Sequence, residues 1–82
     1  MTNKEYIMIS KKSIKHLPKG KIWIKYISKD DINACKWKGG IFLDIIDKKI
    51  KLKGLKKFVW YVPLKGNYFY IDKVILNNLN KN

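Results

Sequence analysis

The chain has no arginine, no glutamine, one alanine, one histidine and one cysteine, and no apolar run near the ~18 residues a membrane-spanning helix needs. Each gap excludes something. Without arginine there is no planar guanidinium fork to read guanine or phosphate in a bidentate way, so anion recognition must rest on lysine, a flexible point charge. The single cysteine, Cys35, excludes an internal disulfide framework and fits a reducing compartment, which makes the cytoplasm the expected location. Residues 1–10 include Lys4 and Glu5 and lack the apolar stretch and small-residue cleavage site of a secretory leader, so a soluble, unprocessed chain is expected.

The residues that carry most enzyme chemistry are also scarce. His16, the sole histidine, sits in a lysine-rich link before Leu17 and Pro18 and reads as a surface residue. Cys35 has no activating partner in sequence and reads as a small buried hydrophobe. Asp30 and Asp31 follow Ser28 at helix-capping spacing, which accounts for them better than a metal loop does. Asp44 and Asp47 are two carboxylates with no further ligand pattern around them. Zinc spacing, a phosphate loop and a two-helix DNA-reading unit are all missing. The chain is therefore read as non-enzymatic, with no catalytic residue, metal or cofactor.

What it does have is lysine. All 19 basic side chains are lysine against 6 acids, a net charge of +13 in 82 residues. Self-repulsion at that charge opposes compaction, and an anionic partner offsets it. The competing account is compositional: lysine, isoleucine and asparagine are all abundant, as codons of an A+T-rich genome would make them. That bias chooses lysine over arginine, but it does not by itself produce an excess of lysine over acids.

The apolar pattern is that of short strands divided by turn residues. Residues 5–11 hold isoleucines at 7 and 9 and give a first strand. Pro18, Lys19 and Gly20 form a turn, and residues 21–28 alternate with β-branched and aromatic side chains. Residues 31–38 suit one short helix, stopped by Gly39 and Gly40. Strands follow at 41–46, 49–53, 58–62 and 67–72, with Asp47 and Lys48 as a two-residue hairpin connection. Residues 74–76 extend the last strand or make one helical turn, and 77–82 form a frayed tail.

The expectation is a single domain over residues 1–82, mainly β: a small five- or six-stranded, highly curved sheet or barrel. It is similar in size and strand number to small barrels of the oligonucleotide-binding (OB-like) or SH3-like kinds, a likeness that assigns no function.

Within this plan the clearest alternation runs from Lys49 to Lys53, with Ile50 and Leu52 inward and Lys49, Lys51 and Lys53 outward in rows about 6.5 Å apart. Lys48, Lys56 and Lys57 complete six lysines in ten residues with no acid among them. A second acid-free stretch holds Lys11, Lys12, Lys15, Lys19, Lys21 and Lys25. Aromatic rings interleave with the charge: Trp37 lies between Lys36 and Lys38, and Trp23 between Lys21 and Lys25. Basic grooves with stacking rings are how proteins hold single strands without reading sequence. These twelve residues, Lys48 through Lys57 as named together with Trp37, Trp23, Lys36, Lys38, Lys21 and Lys25, form the candidate contact set for DNA or RNA, bound with weak or no base specificity. A protein partner or a second copy pairing at an exposed β edge is the alternative. An anionic membrane surface is the less favoured one, since no basic amphipathic helix is evident.

Overall fold

Strand β4 (Lys49–Lys53) sets the plan of the molecule. Its alternation buries Ile50 and Leu52 completely on one side and turns Lys49, Lys51 and Lys53 to the other. The computed structural model describes residues 5–31, 33 and 37–79. In chain order the remaining elements are β1 (Tyr6–Met8), α1 (Lys11–Ile14), β2 (Trp23–Ser28), β3 (Lys38–Ile46), β5 (Val59–Pro63), β6 (Asn67–Asp72) and α2 (Lys73–Leu79).

The six strands form one antiparallel sheet in the order β1-β6-β2-β3-β4-β5. Strands β2 to β5 are a meander, and β6 returns beside β2. This differs from the Greek-key order of an oligonucleotide-binding barrel. Among the described residues no ladder joins β5 to β6, so the sheet is not closed.

It is nevertheless strongly curved, and chain length requires it. Only three residues separate Pro63 from Asn67, a reach of about 14 Å. In a flat sheet β5 and β6 would lie four strand spacings apart, about 19 Å. Curling the sheet closes that gap, and the turn is then tied to both neighbours: the Leu64 amide donates to Lys48 O at 3.1 Å and the Lys29 amide to Gly66 O at 3.0 Å.

The concave side holds Ile24, Tyr26, Phe42, Ile50, Leu52, Val62, Phe69 and Ile71. Burial of each such side chain contributes roughly 1.5–3 kcal/mol. Ile9, Ile14, Leu17 and Ile22 join this core from the segment around α1; of these, Ile14 and Leu17 come from the stretch that the lysine-rich sequence marked only as a link. Ser10 caps α1, its Oγ accepting from the Ser13 amide at 3.2 Å. The tail expected to fray from residue 77 is helical as far as Leu79. Asp72 Oδ1 accepts from the Val74 amide at 2.8 Å, and Ile75, Leu76 and Leu79 pack on the core.

One further expectation needs correction. Gly39 and Gly40 do not stop the chain: they lie inside β3, and Lys38 opens that strand rather than ending a helix. The rest of the helix expected at 31–38 falls largely on residues outside the described set. Strand β3 also carries a bulge, where Phe42 pairs with Leu52 but Asp44 pairs with Lys51, leaving Leu43 extra. The added residue resets the alternation, so Asp44 faces outward beside the lysines while Ile45 packs against the core.

Candidate nucleic-acid interface

The convex face of the sheet is built from cross-strand rows. Trp23 pairs with Ile41, Ile41 with Lys53 and Lys53 with Val59; Asp44 pairs with Lys51 and Lys51 with Tyr61; Ile46 pairs with Lys49 and Lys49 with Pro63. The three lysines of β4 therefore run down the middle of this face, with Val59 and Tyr61 exposed along one flank and Ile46 along the other. Lys49 is exposed, and Lys51 and Lys53 are half-buried, their stems lying along these neighbours.

The hairpins at the two ends of β4 extend the row. Asp47 and Lys48 are the two central residues of the β3–β4 turn and both have positive φ, 52° and 63°. That is the backbone of a primed hairpin turn. At the other end Gly54, Leu55, Lys56 and Lys57 turn the chain into β5, with the Lys57 amide donating to Gly54 O at 3.0 Å and the Gly54 amide to Phe58 O at 2.7 Å. Lys57 also has positive φ, 64°. Lysine thus occupies two left-handed positions that asparagine or glycine fills with less strain.

Asp44 is the acid that the bulge adds to this row. Lys19 Nζ approaches its Oδ1 at 3.1 Å, the Ile45 amide donates to the same oxygen at 2.7 Å, and Lys51 faces it. The Lys19 hydrogen bond first, then the amide and the charges of Lys19 and Lys51, hold its carboxyl below the ordinary value of 3.8. The acid is therefore ionised and paired at neutral pH.

Topology joins the second lysine stretch to the first only in part. Lys11 shares a concavity with Asp47, Lys48, Lys49, Pro63, Leu64 and Lys65, while Lys19 is engaged by Asp44. Lys21 is exposed between Gly20 and Ile22, both bonded to Phe42. Lys25 lies on the convex face toward β1, its Nζ 4.2 Å from the centre of the Tyr6 ring. Lys65 and Tyr6 gave no pattern in the sequence, because only the return of β6 and the α1 segment brings them to these places.

Trp23 and Trp37 come to the same face. Trp23 is half-buried over Gly39, whose missing side chain makes room for it: a Cβ there would stand 2.6 Å from the indole Nε1. Trp37 is 44% exposed and sits edge-on to Tyr70 with ring centres 4.9 Å apart. Lys38 is exposed but pairs with Tyr26, so the register sets it on the other side of the sheet from Trp37, and Lys36 lies outside the described residues. The aromatic patch covers β6 and β2, the lysine row covers β4, and Trp23 with Ile41 bridges them.

Trp60, by contrast, points to the concave side. Gly40 and Gly54 leave space for its ring, and its Nε1 donates to Tyr26 Oη at 2.9 Å. His16 is exposed in a groove between α1 and α2 beside Leu17 and Leu76. Among the described residues no group of three or more His, Cys, Asp or Glu side chains is placed to hold a metal ion, and no helix is long and apolar enough to cross a membrane. Comparison with protein-family models, curated proteins and solved structures finds no match to this chain.

Proposed function

We propose that this domain is a non-enzymatic nucleic-acid-binding module that holds the phosphate backbone of DNA or RNA on its convex sheet face with little base specificity. One observation carries the reading: Lys49, Lys51 and Lys53 form a single outward row on β4, prolonged by Lys48 at one end and by Lys56 and Lys57 at the other. Five residues of strand span about 13 Å between the outer lysines, and the turn residues lengthen the track over several phosphates. The positive-φ lysines add support. Asparagine shares the A+T-rich codons of lysine and fits a left-handed position better, so composition alone accounts poorly for lysine at 48 and 57.

The test is a salt series with the wild-type chain and Lys49→Gln/Lys51→Gln/Lys53→Gln, using unrelated oligonucleotides of equal length. If four to six lysines meet duplex phosphates, log affinity should fall against log salt with a slope of about −4 to −5, and the triple variant should flatten it by up to ~2.7. Undiminished affinity in a folded triple variant would eliminate the row as a contact surface.

A second reading has its own observation. Strand β5 is paired only with β4 among the described residues, and it shows Val59 and Tyr61 to solvent, as an edge open to another chain would. Pro63 at its end discourages such pairing. Concentration-dependent association measured by sedimentation, abolished by Tyr61→Lys, would favour this reading.

A further inference from the structure

The turn between β4 and β5 carries two side chains that the lysine row does not explain. Leu55 is 86% exposed and Phe58 is 68% exposed, at either end of Lys56 and Lys57. Phe58 is not a loose ring. It stacks on Trp60 with centres 6.0 Å apart and planes 26° from parallel. Trp60 in turn is fixed by its hydrogen bond to Tyr26 and by the slot between Gly40 and Gly54. A stack of two rings therefore rises from the core at Tyr26 and ends at Phe58 in water, beside two lysines.

Building on the proposed nucleic-acid reading, we infer that the outer side of Phe58 is a stacking site for one unpaired base, with Lys56 and Lys57 on the adjoining phosphates, so that the preferred ligand is single-stranded. The chemistry is selective for strand state. A ring at a hairpin tip reaches a splayed base directly, whereas a base inside a duplex already has stacking neighbours on both sides. The positioning is prearranged, since Phe58 has its supporting ring in place before any ligand arrives. The aromatic patch on β6 and β2 is less open to this use: Trp37 and Tyr70 meet edge-on, and Lys25 covers the Tyr6 ring.

The experiment compares the full chain with Phe58→Leu, Phe58→Tyr and Leu55→Ser, titrated at matched salt against an unstructured mixed-sequence single strand and a duplex of equal length. Thermal unfolding of each variant serves as the folding control. Phe58→Leu keeps apolar bulk and loses the ring; it should weaken single-strand binding roughly 10-fold while changing duplex binding by less than about 2-fold. Phe58→Tyr should restore wild-type affinity. Equal losses on both ligands, or none on the single strand, would overturn the base-stacking site even if the β4 triple variant still loses its salt-dependent binding. Conversely, a wild-type response from the triple variant with a selective loss from Phe58→Leu would keep the stacking site and reject the lysine row. Sedimentation with phosphatidylserine vesicles adds a third arm: vesicle binding lost in Leu55→Ser, with oligonucleotide affinity unchanged in Phe58→Leu, would overturn the proposal in favour of a lipid surface.

Discussion

Trp60 Nε1 donates to Tyr26 Oη at 2.9 Å across the concave side of the sheet, linking β5 to β2 although β3 and β4 lie between them in the hydrogen-bonded order. Three strand spacings in a flat sheet would hold these strands about 14 Å apart. The bond exists because the sheet curls, and it helps to hold the curl. Tyr26 is buried and Trp60 half-buried, so removing the Tyr26 hydroxyl takes from the indole N–H the one protein acceptor it has among the described residues.

Tyr26→Phe should therefore cost about 1–2 kcal/mol. Urea unfolding of Tyr26→Phe, Trp60→Phe and the double variant would measure it. A coupling energy near zero would show that the bond adds nothing to the curl.

The adjacent glycines of β3 make a second prediction, because each faces an indole on opposite sides. A Cβ at Gly40 would meet Leu52 Cβ at 3.0 Å and two Trp60 ring atoms at 3.0 and 3.2 Å, all within the core. At Gly39 the clash is closer, 2.6 Å, but with the ring of Trp23 on the convex face, outside the core. Gly40→Ala should lose about 1–3 kcal/mol, and Gly39→Ala less. Tryptophan emission should shift to the red in Gly39→Ala before unfolding begins. The reverse order of stabilities would contradict this assignment of faces.

Lys48 sets turn strain against the proposed binding. Lys48→Gly relieves a lysine held at φ 63° next to Asp47 and should raise stability by about 0.5–1 kcal/mol. The same change removes one end of the lysine track, so the salt slope of duplex binding should become shallower by about 0.9. A more stable variant with an unchanged slope would show that Lys48 touches no phosphate.

Asp44 predicts the acid behaviour. Its folded carboxyl titrates below its ordinary value, so the paired, ionised form favours folding fully above about pH 4 and this contribution disappears as pH falls through the lowered native value. In Asp44→Asn that part of the acid limb should be absent. At neutral pH the same variant frees Lys19 and Lys51 from a nearby negative charge, and its affinity for a single strand or duplex should increase. Denaturant midpoints across the acid range and one titration at pH 7 test both halves; equal affinity would place Asp44 away from the bound phosphates.

The strands and their facing were largely legible, since Ile50 against Lys51 or Phe69 against Tyr70 obeys a strict two-residue period. The lysine row on β4 was legible for the same reason. The bulge at Leu43 was not, because an inserted residue has no period of its own and simple alternation places Asp44 on the same side as Phe42. The glycine pair misled in another way: Gly39 and Gly40 look like a stop, yet here the missing side chains accommodate Trp23 and Trp60, partners 16 and 20 residues away in sequence. Phe58, expected to open the strand at 58–62, instead ends the turn before β5 begins at Val59, because sequence distinguishes poorly between the last residue of a turn and the first of its strand.

A barrel whose strands pair all the way round has its circumference set by strand number and shear. This sheet has a seam between β5 and β6, so its circumference is set by what fills it: the Tyr26–Trp60 pair, the aliphatic core and the short turn at 64–66. The spacing of charges on the outside is then a dependent quantity. Changing the volume of an inner side chain such as Leu52 alters the radius on which Lys51 and Lys53 stand, and so, in the proposed binding mode, the distance between the phosphates they would meet.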